Sequence, residues 1–220
     1  MAVVVPARNE EASLPATLAS VAGADEIVVA DGGSSDATAE VSRSCGARVV
    51  ACPPGRGRQI RDGVDATRSD WSVVLHADTR LEGGWREAVA ALPAHVVGGA
   101  FRFAVDAPGL PFRLLERGVA LRCAVFTLPY GDQAIFARRD AYERCGGVPP
   151  LPLMEDVAFV RALRCEGALR MLAPRAWTSA RRWRRRGVLA TSVSNLVTLA
   201  LYAAGVAPER LARRYYRGRA

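Results

Sequence analysis

Four short apolar runs constrain this chain more than any other feature, because each stops abruptly at proline or at polar residues. They are Ala2-Val3-Val4-Val5-Pro6, Glu26-Ile27-Val28-Val29-Ala30-Asp31, Ala47 to Ala51, and Ser72-Val73-Val74-Leu75-His76-Ala77-Asp78-Thr79. Runs of this length bounded by turn residues read as buried strands of a parallel sheet. Helical stretches between them give a strand–helix–strand order, hence an α/β fold with right-handed crossovers. Ligands of open α/β sheets bind just beyond the carboxyl ends of the strands. The residues that follow each run are therefore the candidates for chemistry.

After the first run, Pro6 ends the strand, since proline cannot continue a central ladder, and Arg8-Asn9-Glu10-Glu11 opens a helix to about Ala22. An arginine and acids there either meet a nucleotide or favour the helix dipole. Asp31, at the end of the second run and before Gly32-Gly33, is placed to accept hydrogen bonds from a ribose or base. Gly32 to Asp36 is a turn into a helix near Ala37, with Ser35 or Asp36 as N-cap. The third run leads into Gly55-Arg56-Gly57-Arg58-Gln59-Ile60-Arg61. Glycines let backbone amides approach phosphate, and a helix N-terminus with arginines suits an anion. Asp78 closes the fourth run. A carboxylate at that edge suits a hard divalent cation held against a diphosphate; the alternative is a simple turn before Leu81-Glu82-Gly83-Gly84.

Together, Val5-Pro6-Ala7-Arg8-Asn9-Glu10-Glu11, Val29 to Asp36, the Gly57-Arg58 loop and Leu75-His76-Ala77-Asp78 resemble the nucleotide-sugar-binding half of a family 2 glycosyltransferase of the GT-A fold. The resemblance implies a mostly parallel, Rossmann-like sheet flanked by helices. It implies that Pro6, Ala7, Arg8, Glu10 and Asp31 surround the nucleoside, that Gly57 and Arg58 lie near base and phosphate, and that His76, Ala77 and Asp78 meet metal and diphosphate. The family motif is Asp-x-Asp, whereas His76 takes the first position here. Asp78 keeps the metal role, for Mn2+ or Mg2+, and His76 ligates metal, touches ribose or simply packs.

The second half is expected to hold the acceptor. Gly98 to Phe103 reads as a strand, Leu110 to Leu128 as a largely apolar helix, and Pro129 to Arg139 as a loop into a strand. Asp132, with Gln133, contacts acceptor or metal, or belongs to a turn. A proline-rich loop, Gly146 to Leu153, leads into Met154-Glu155-Asp156 and a helix to about Glu166. Acids in a first helical turn are also ordinary capping residues. The resemblance makes Asp156 the general base of an inverting transfer, with Glu155 in support. It extends to about Trp183, where Arg181 and Trp183 stand on the acceptor side. More narrowly, Tyr130–Arg139, Leu151–Arg164 and Thr178–Trp183 are similar to a short bacterial subgroup often labelled arsenosugar-related.

All 30 basic residues are arginine, so lysine chemistry is excluded. Eleven of those arginines lie from Arg175 onward, against Glu209 as the single acid. Gly187 to Val206 is uncharged and about as long as a membrane span. Thr191, Ser194, Asn195 and Thr198 share one helical face, however, while Leu189, Val193, Leu196, Val197, Ala200 and Leu201 fall on others. That pattern suits a helix packed on protein, a homodimer mate or an interface. Arg181–Arg186 and Arg210–Arg219 would hold it to an anionic membrane surface. Five cysteines without a CxxC motif argue against a disulfide framework and a zinc site. A cytoplasmic protein, peripheral at the inner face of the membrane, is expected.

The expected organisation is a catalytic domain over 1–183, with a donor half at 1–95 and an acceptor half at 96–183, followed by an arginine-rich helical extension at 184–220 with amphipathic helices. The partners are a nucleoside diphosphate sugar, expected to be a UDP-sugar, and an unidentified acceptor, with no nucleic acid. A sugar-phosphate nucleotidyltransferase would want its glycine-arginine loop after the first strand and an active-site lysine. A noncatalytic polyanion or membrane binder using the arginine tail leaves the acidic strand ends unexplained.

Overall fold

The computed structural model describes residues 1–216; Arg217 and Arg219 of the expected basic flank lie outside the described residues. The chain runs β1 (Ala2–Ala7), α1 (Leu14–Ala19), β2 (Glu26–Asp31), α2 (Thr38–Ser44), β3 (Arg48–Ala51), α3 (Arg56–Asp65), β4 (Trp71–Val74), β5 (Thr79–Leu81) and α4 (Trp85–Ala90). It continues with β6 (Val96–Asp106), α5 (Leu110–Phe126), β7 (Phe136–Arg138), α6 (Arg139–Arg144), α7 (Glu155–Glu166) and β8 (Ala168–Ser179). Helices α8 (Arg181–Arg186), α9 (Val188–Ala203) and α10 (Pro208–Tyr216) complete the described chain.

All eight strands form one sheet of order β3-β2-β1-β4-β7-β6-β8-β5. The first four strands are parallel; β7 runs antiparallel to β4 and β6, β6 and β8 are parallel, and β5 is antiparallel to β8. Strand β1 is buried on both faces. Val3 and Val5 enter a core with Leu14, Leu18 and Trp85, while Val4 enters another with Ile60, Val64 and Val160. That split is the two-residue period of a strand between two helical layers.

Several expected boundaries move. Strand β1 passes through Pro6, which pairs with Ala30, and continues to Ala7. Proline fits because pairing with β4 stops at Val4↔Val74, so its missing N–H faces a side where the ladder has ended. The first helix starts at Leu14 rather than near Arg8. The intervening residues are committed to another loop: the Asn9 and Glu10 amides donate to Ser34 Oγ (2.9 Å) and Thr38 Oγ1 (2.8 Å). The Ser35 and Ala37 amides donate back to Asn9 Oδ1 and Glu11 Oε2, each at 2.8 Å. The fourth run breaks after Leu75 into a turn closed by the Thr79 amide on the His76 carbonyl (3.0 Å), and β5 then pairs with β8.

Strand β8 has no counterpart in the expectations. Its register against β6 jumps between Phe101↔Leu172 and Arg102↔Arg175, so Ala173 and Pro174 bulge out where proline costs no ladder bond. At the C-terminus, Leu211 and Ala212 of α10 pack on Leu153, and Trp183 of α8 meets Phe103 edge-on at 5.9 Å.

Close strand contact makes one glycine indispensable. A Cβ on Gly99 would lie 1.8 Å from the Arg170 carbonyl oxygen, whereas one on Gly83 would meet nothing within 4 Å. Gly99→Ala should lower stability by at least about 2 kcal/mol, and Gly83→Ala should stay within about 0.5 kcal/mol of the parent. Urea unfolding midpoints at unchanged slope check both.

Candidate active site

The carboxyl ends of β1 and β4, the loop before β7, the start of α7 and the end of β8 converge on a cleft of about 590 Å³. Pro6, Arg8 and Glu10 line it from β1, and His76, Ala77 and Asp78 from the turn after β4. Tyr130, Gly131, Asp132 and Asp156 face them. Thr178, Ser179 and Arg181 close the third side, with Asn195 and Tyr215 entering from α9 and α10.

The turn that carries Asp78 is fixed by β8: the Ser179 amide donates to the Asp78 carbonyl at 3.0 Å, and Thr79 pairs with Thr178. Burial, then the charge of Glu10, pushes the Asp78 carboxyl above its ordinary range, while Arg181 opposes them. Glu10 itself pairs with Arg181 at 3.1 Å, linking the loop after β1 to α8. Among the described residues, no three His, Cys, Asp or Glu side chains cluster to hold a metal ion by themselves.

Opposite, α7 begins on Met154, whose positive φ of 65° turns the chain so that the two acids diverge. Glu155 is 1% exposed and accepts a hydrogen bond from Arg56 Nε of α3. Burial pulls the Arg56 guanidinium down, but Glu155 and Asp156 outweigh it and hold the group protonated. Asp156 turns to the cleft. Its Oδ2 accepts from the Gly131 amide and its Oδ1 from the Val157 amide, each at 2.8 Å.

His76 stands where the motif has its first carboxylate. Burial, reinforced by the charge of Arg56, lowers its pKa to about 3, so the ring is neutral at ordinary pH. Its Nε2 is buried without a hydrogen-bond partner, and a Cβ on Gly131 would sit 2.7 Å from it. The imidazole thus fills space a glycine leaves. Asp132 is half-buried, with its Oδ1 buried and unpartnered; desolvation raises its pKa to about 6 against the pull of Arg122.

Of the expected site residues, the cleft gathers Pro6, Arg8, Glu10, His76, Ala77, Asp78, Asp132, Asp156, Arg181 and Trp183. The others lie off its walls. Asp31 accepts from the Ser34 hydroxyl (2.5 Å) and amide, shaping the loop after β2, and Ala7 is buried. Gly57 is a packing position: a Cβ there would come 2.5 Å from the Pro149 carbonyl oxygen. Arg58 pairs with Asp62 at 3.9 Å, and Arg56 is the arginine that reaches the cleft. Glu155 faces Arg56 instead of the cleft. Gln133 is fully buried, accepting from Arg122 (2.8 Å) and donating to the Phe101 carbonyl (3.3 Å), and so supports the loop from within. Arg182, Asn195 and Tyr215 also line the cleft; nothing in their local sequence distinguishes them from ordinary helix positions.

A cleft at the carboxyl ends of parallel strands, lined by acids and arginines, is where an open α/β sheet binds its ligand. Residues 2–111 match Glycosyl transferase family 2, and the chain belongs to that family. The uncharacterized glycosyltransferase Rv0539 of Mycobacterium tuberculosis is 41% identical over 83 residues, covering 37% of this chain and 38% of the relative. An uncharacterized glycosyltransferase of Mycobacterium bovis, Mb0553, matches to the same extent. The match thus spans well under two thirds of these relatives' length. Among solved structures, S. aureus TarS shares the fold at TM-score 0.61 and 16% identity, over 90% of this chain and 39% of that one. A glucosyl-3-phosphoglycerate synthase from Mycobacterium tuberculosis, in complex with Mn2+, UDP and phosphoglyceric acid, shares it at TM-score 0.58 and 18% identity, over 90% and 77%.

Asp132 gives the cleft a pH signature. Its carboxyl titrates near 6 in the folded protein against an ordinary value of 3.8. Between those values the folded state holds more protons, so stability falls as pH rises. The stability of the parent relative to Asp132→Asn should drop by up to about 3 kcal/mol from about pH 4 to about pH 6 and then level off. Urea titrations across that range measure it; a constant difference would mean that Asp132 titrates as an exposed acid.

Proposed function

We propose that the chain transfers a sugar, with inversion, from a nucleoside diphosphate sugar to a hydroxyl acceptor, and that Asp156 is the base. The observation that carries this reading is the divergence of Glu155 and Asp156 at the start of α7. One acid is spent on Arg56, and the other is presented to the cleft with both oxygens oriented by backbone amides. Inverting transfer needs one such carboxylate to accept the acceptor's proton as the acceptor attacks the anomeric carbon in line. Each Asp156 oxygen accepts one backbone hydrogen bond and keeps further acceptor capacity toward the cleft.

Donor binding falls to the opposite wall. Pro6, Arg8 and Glu10 receive the nucleoside, and Arg181 and Arg56 supply positive charge for the diphosphate. A uridine donor is favoured because the similarly folded synthase holds UDP with Mn2+. Asp78 would hold Mn2+ or Mg2+. Such ions are often bound by only one or two carboxylates plus substrate phosphate and water, which fits a site with no three-ligand cage. When bound, the ion neutralises charge on the leaving diphosphate. His76, packed on Gly131, shapes the turn, and its neutral imidazole with an unpartnered Nε2 keeps the form that could join Asp78 at the metal. Residues 1–95 form the donor half and 96–183 the half bearing the base, while the extension from 184 contributes Asn195 and Tyr215.

Asp156→Asn should reduce UDP release from UDP-sugars, with a small-molecule extract as acceptor source, by about 10²–10⁴-fold. UDP affinity, measured by calorimetry, should be unchanged. Near-parental turnover in this variant would overturn the assignment of the base.

A further inference from the structure

We infer that the uncovered faces of α5 and α9 seat this protein on an anionic membrane surface. The two helices touch each other, and each carries an exposed apolar stripe besides the residues it packs inward. On α5, Leu110, Leu114, Leu121, Val125 and Phe126 are each more than half exposed. On α9, so are Leu189, Val193 and Leu196. Isolated exposed leucines are ordinary, but two neighbouring helices with such stripes are a binding surface.

The inner sides explain why this is no packing accident. Helix α9 carries no charged residue, and the side chains it buries most fully are Thr191 and Thr198. Asn195 also faces inward, accepting from Arg182 at 2.9 Å. Over Leu189–Leu196 the amphipathic pattern of α9 is thus reversed, with Thr191 and Asn195 toward the protein and Leu189, Val193 and Leu196 outward, while Leu199, Leu201 and Tyr202 pack inward beyond it. On α5, three of the four charged side chains are bound to the protein. Arg113 and Glu116 tie to the backbone of Val105, and Arg122 donates to the Leu128 carbonyl and lies over the Tyr130 ring. Only Arg117 is left on the outward side.

Charge selects the occupant. Exposed Arg117 lies on α5, and exposed Arg184 and Arg185 lie just before α9; the one acid of α5 is turned inward. A second copy of this chain would bring the same arginines against each other. Anionic headgroups would complement them, each basic residue near such a surface contributing about 1 kcal/mol. At 16 residues α9 is about 24 Å long, too short for a hydrocarbon core of about 30 Å. No helix among the described residues is long and apolar enough to cross a membrane. The helices therefore lie in the interface. Asn195, on the same helix as Leu196, lines the catalytic cleft, so seating brings the cleft to the headgroup layer.

The test is flotation of the full chain with vesicles of phosphatidylcholine alone or mixed with phosphatidylglycerol, beside light scattering of the free protein. The parent should float with the mixed vesicles. The exposed-face variant Leu121→Glu/Leu196→Glu, with an unchanged Tm, should partition at least about tenfold more weakly. Val193→Cys carrying an environment-sensitive fluorophore should shift to the blue on mixed vesicles. Undiminished binding by the double variant would assign attachment to arginines alone and overturn the proposal. So would no binding by the parent, or a parent dimer that the double variant abolishes.

Discussion

The ion pair between Arg56 and Glu155 is the contact on which the geometry of this cleft rests. A carboxylate that is 1% exposed is costly unless a charge and hydrogen bonds meet it, and removing one partner leaves the other buried and unpaired. The pair joins α3, which packs on β1 and β2, to α7, which carries Asp156. Gly57 lets the two approach, since any side chain there would strike the Pro149 carbonyl. Because Asp156 follows Glu155 directly, fixing one acid inward fixes the other toward the cleft.

Around that pair, the sheet gathers its polar residues by topology. Strands β2, β1 and β4 are parallel, so the segments after them share one edge. Buried Gln59 seals the edge from below, donating to the Ala7 and Ala30 carbonyls at 2.8 Å each. From the far side, the long pairing of β6 with β8 carries Thr178, Ser179 and Arg181 back to Asp78 and Glu10. The same return places α8 and α9 at the rim, so the surface that meets the surroundings and the cleft that does the chemistry share one helix.

The donor strands were legible because parallel strands buried on both faces leave uninterrupted apolar runs. Strand β8 was not: its residues are mostly half-buried or exposed, and Pro174 within a bulge reads as a break. The start of α1 was misplaced since Asn9, Glu10 and Glu11, all plausible helix openers, are bound to the neighbouring loop. At the site, the glycine-arginine segment reaches the cleft through Arg56, while Arg58 pairs with Asp62. Two residues apart on a helix point in nearly opposite directions, and the sequence does not say which faces the sheet edge. Gln133 and Glu155 look like surface residues until their buried partners are seen. The periodicity of α9 showed two faces without showing that the polar one points inward.

The proposed role of Asp78, holding a diphosphate through a metal ion, makes a demand on binding that can be measured without knowing the acceptor. Calorimetric titration of UDP should show affinity at least about tenfold higher with Mn2+ than in chelator, and Asp78→Ala should erase that gain. Equal UDP affinity with and without metal, or the same metal-dependent gain in Asp78→Ala, would contradict it.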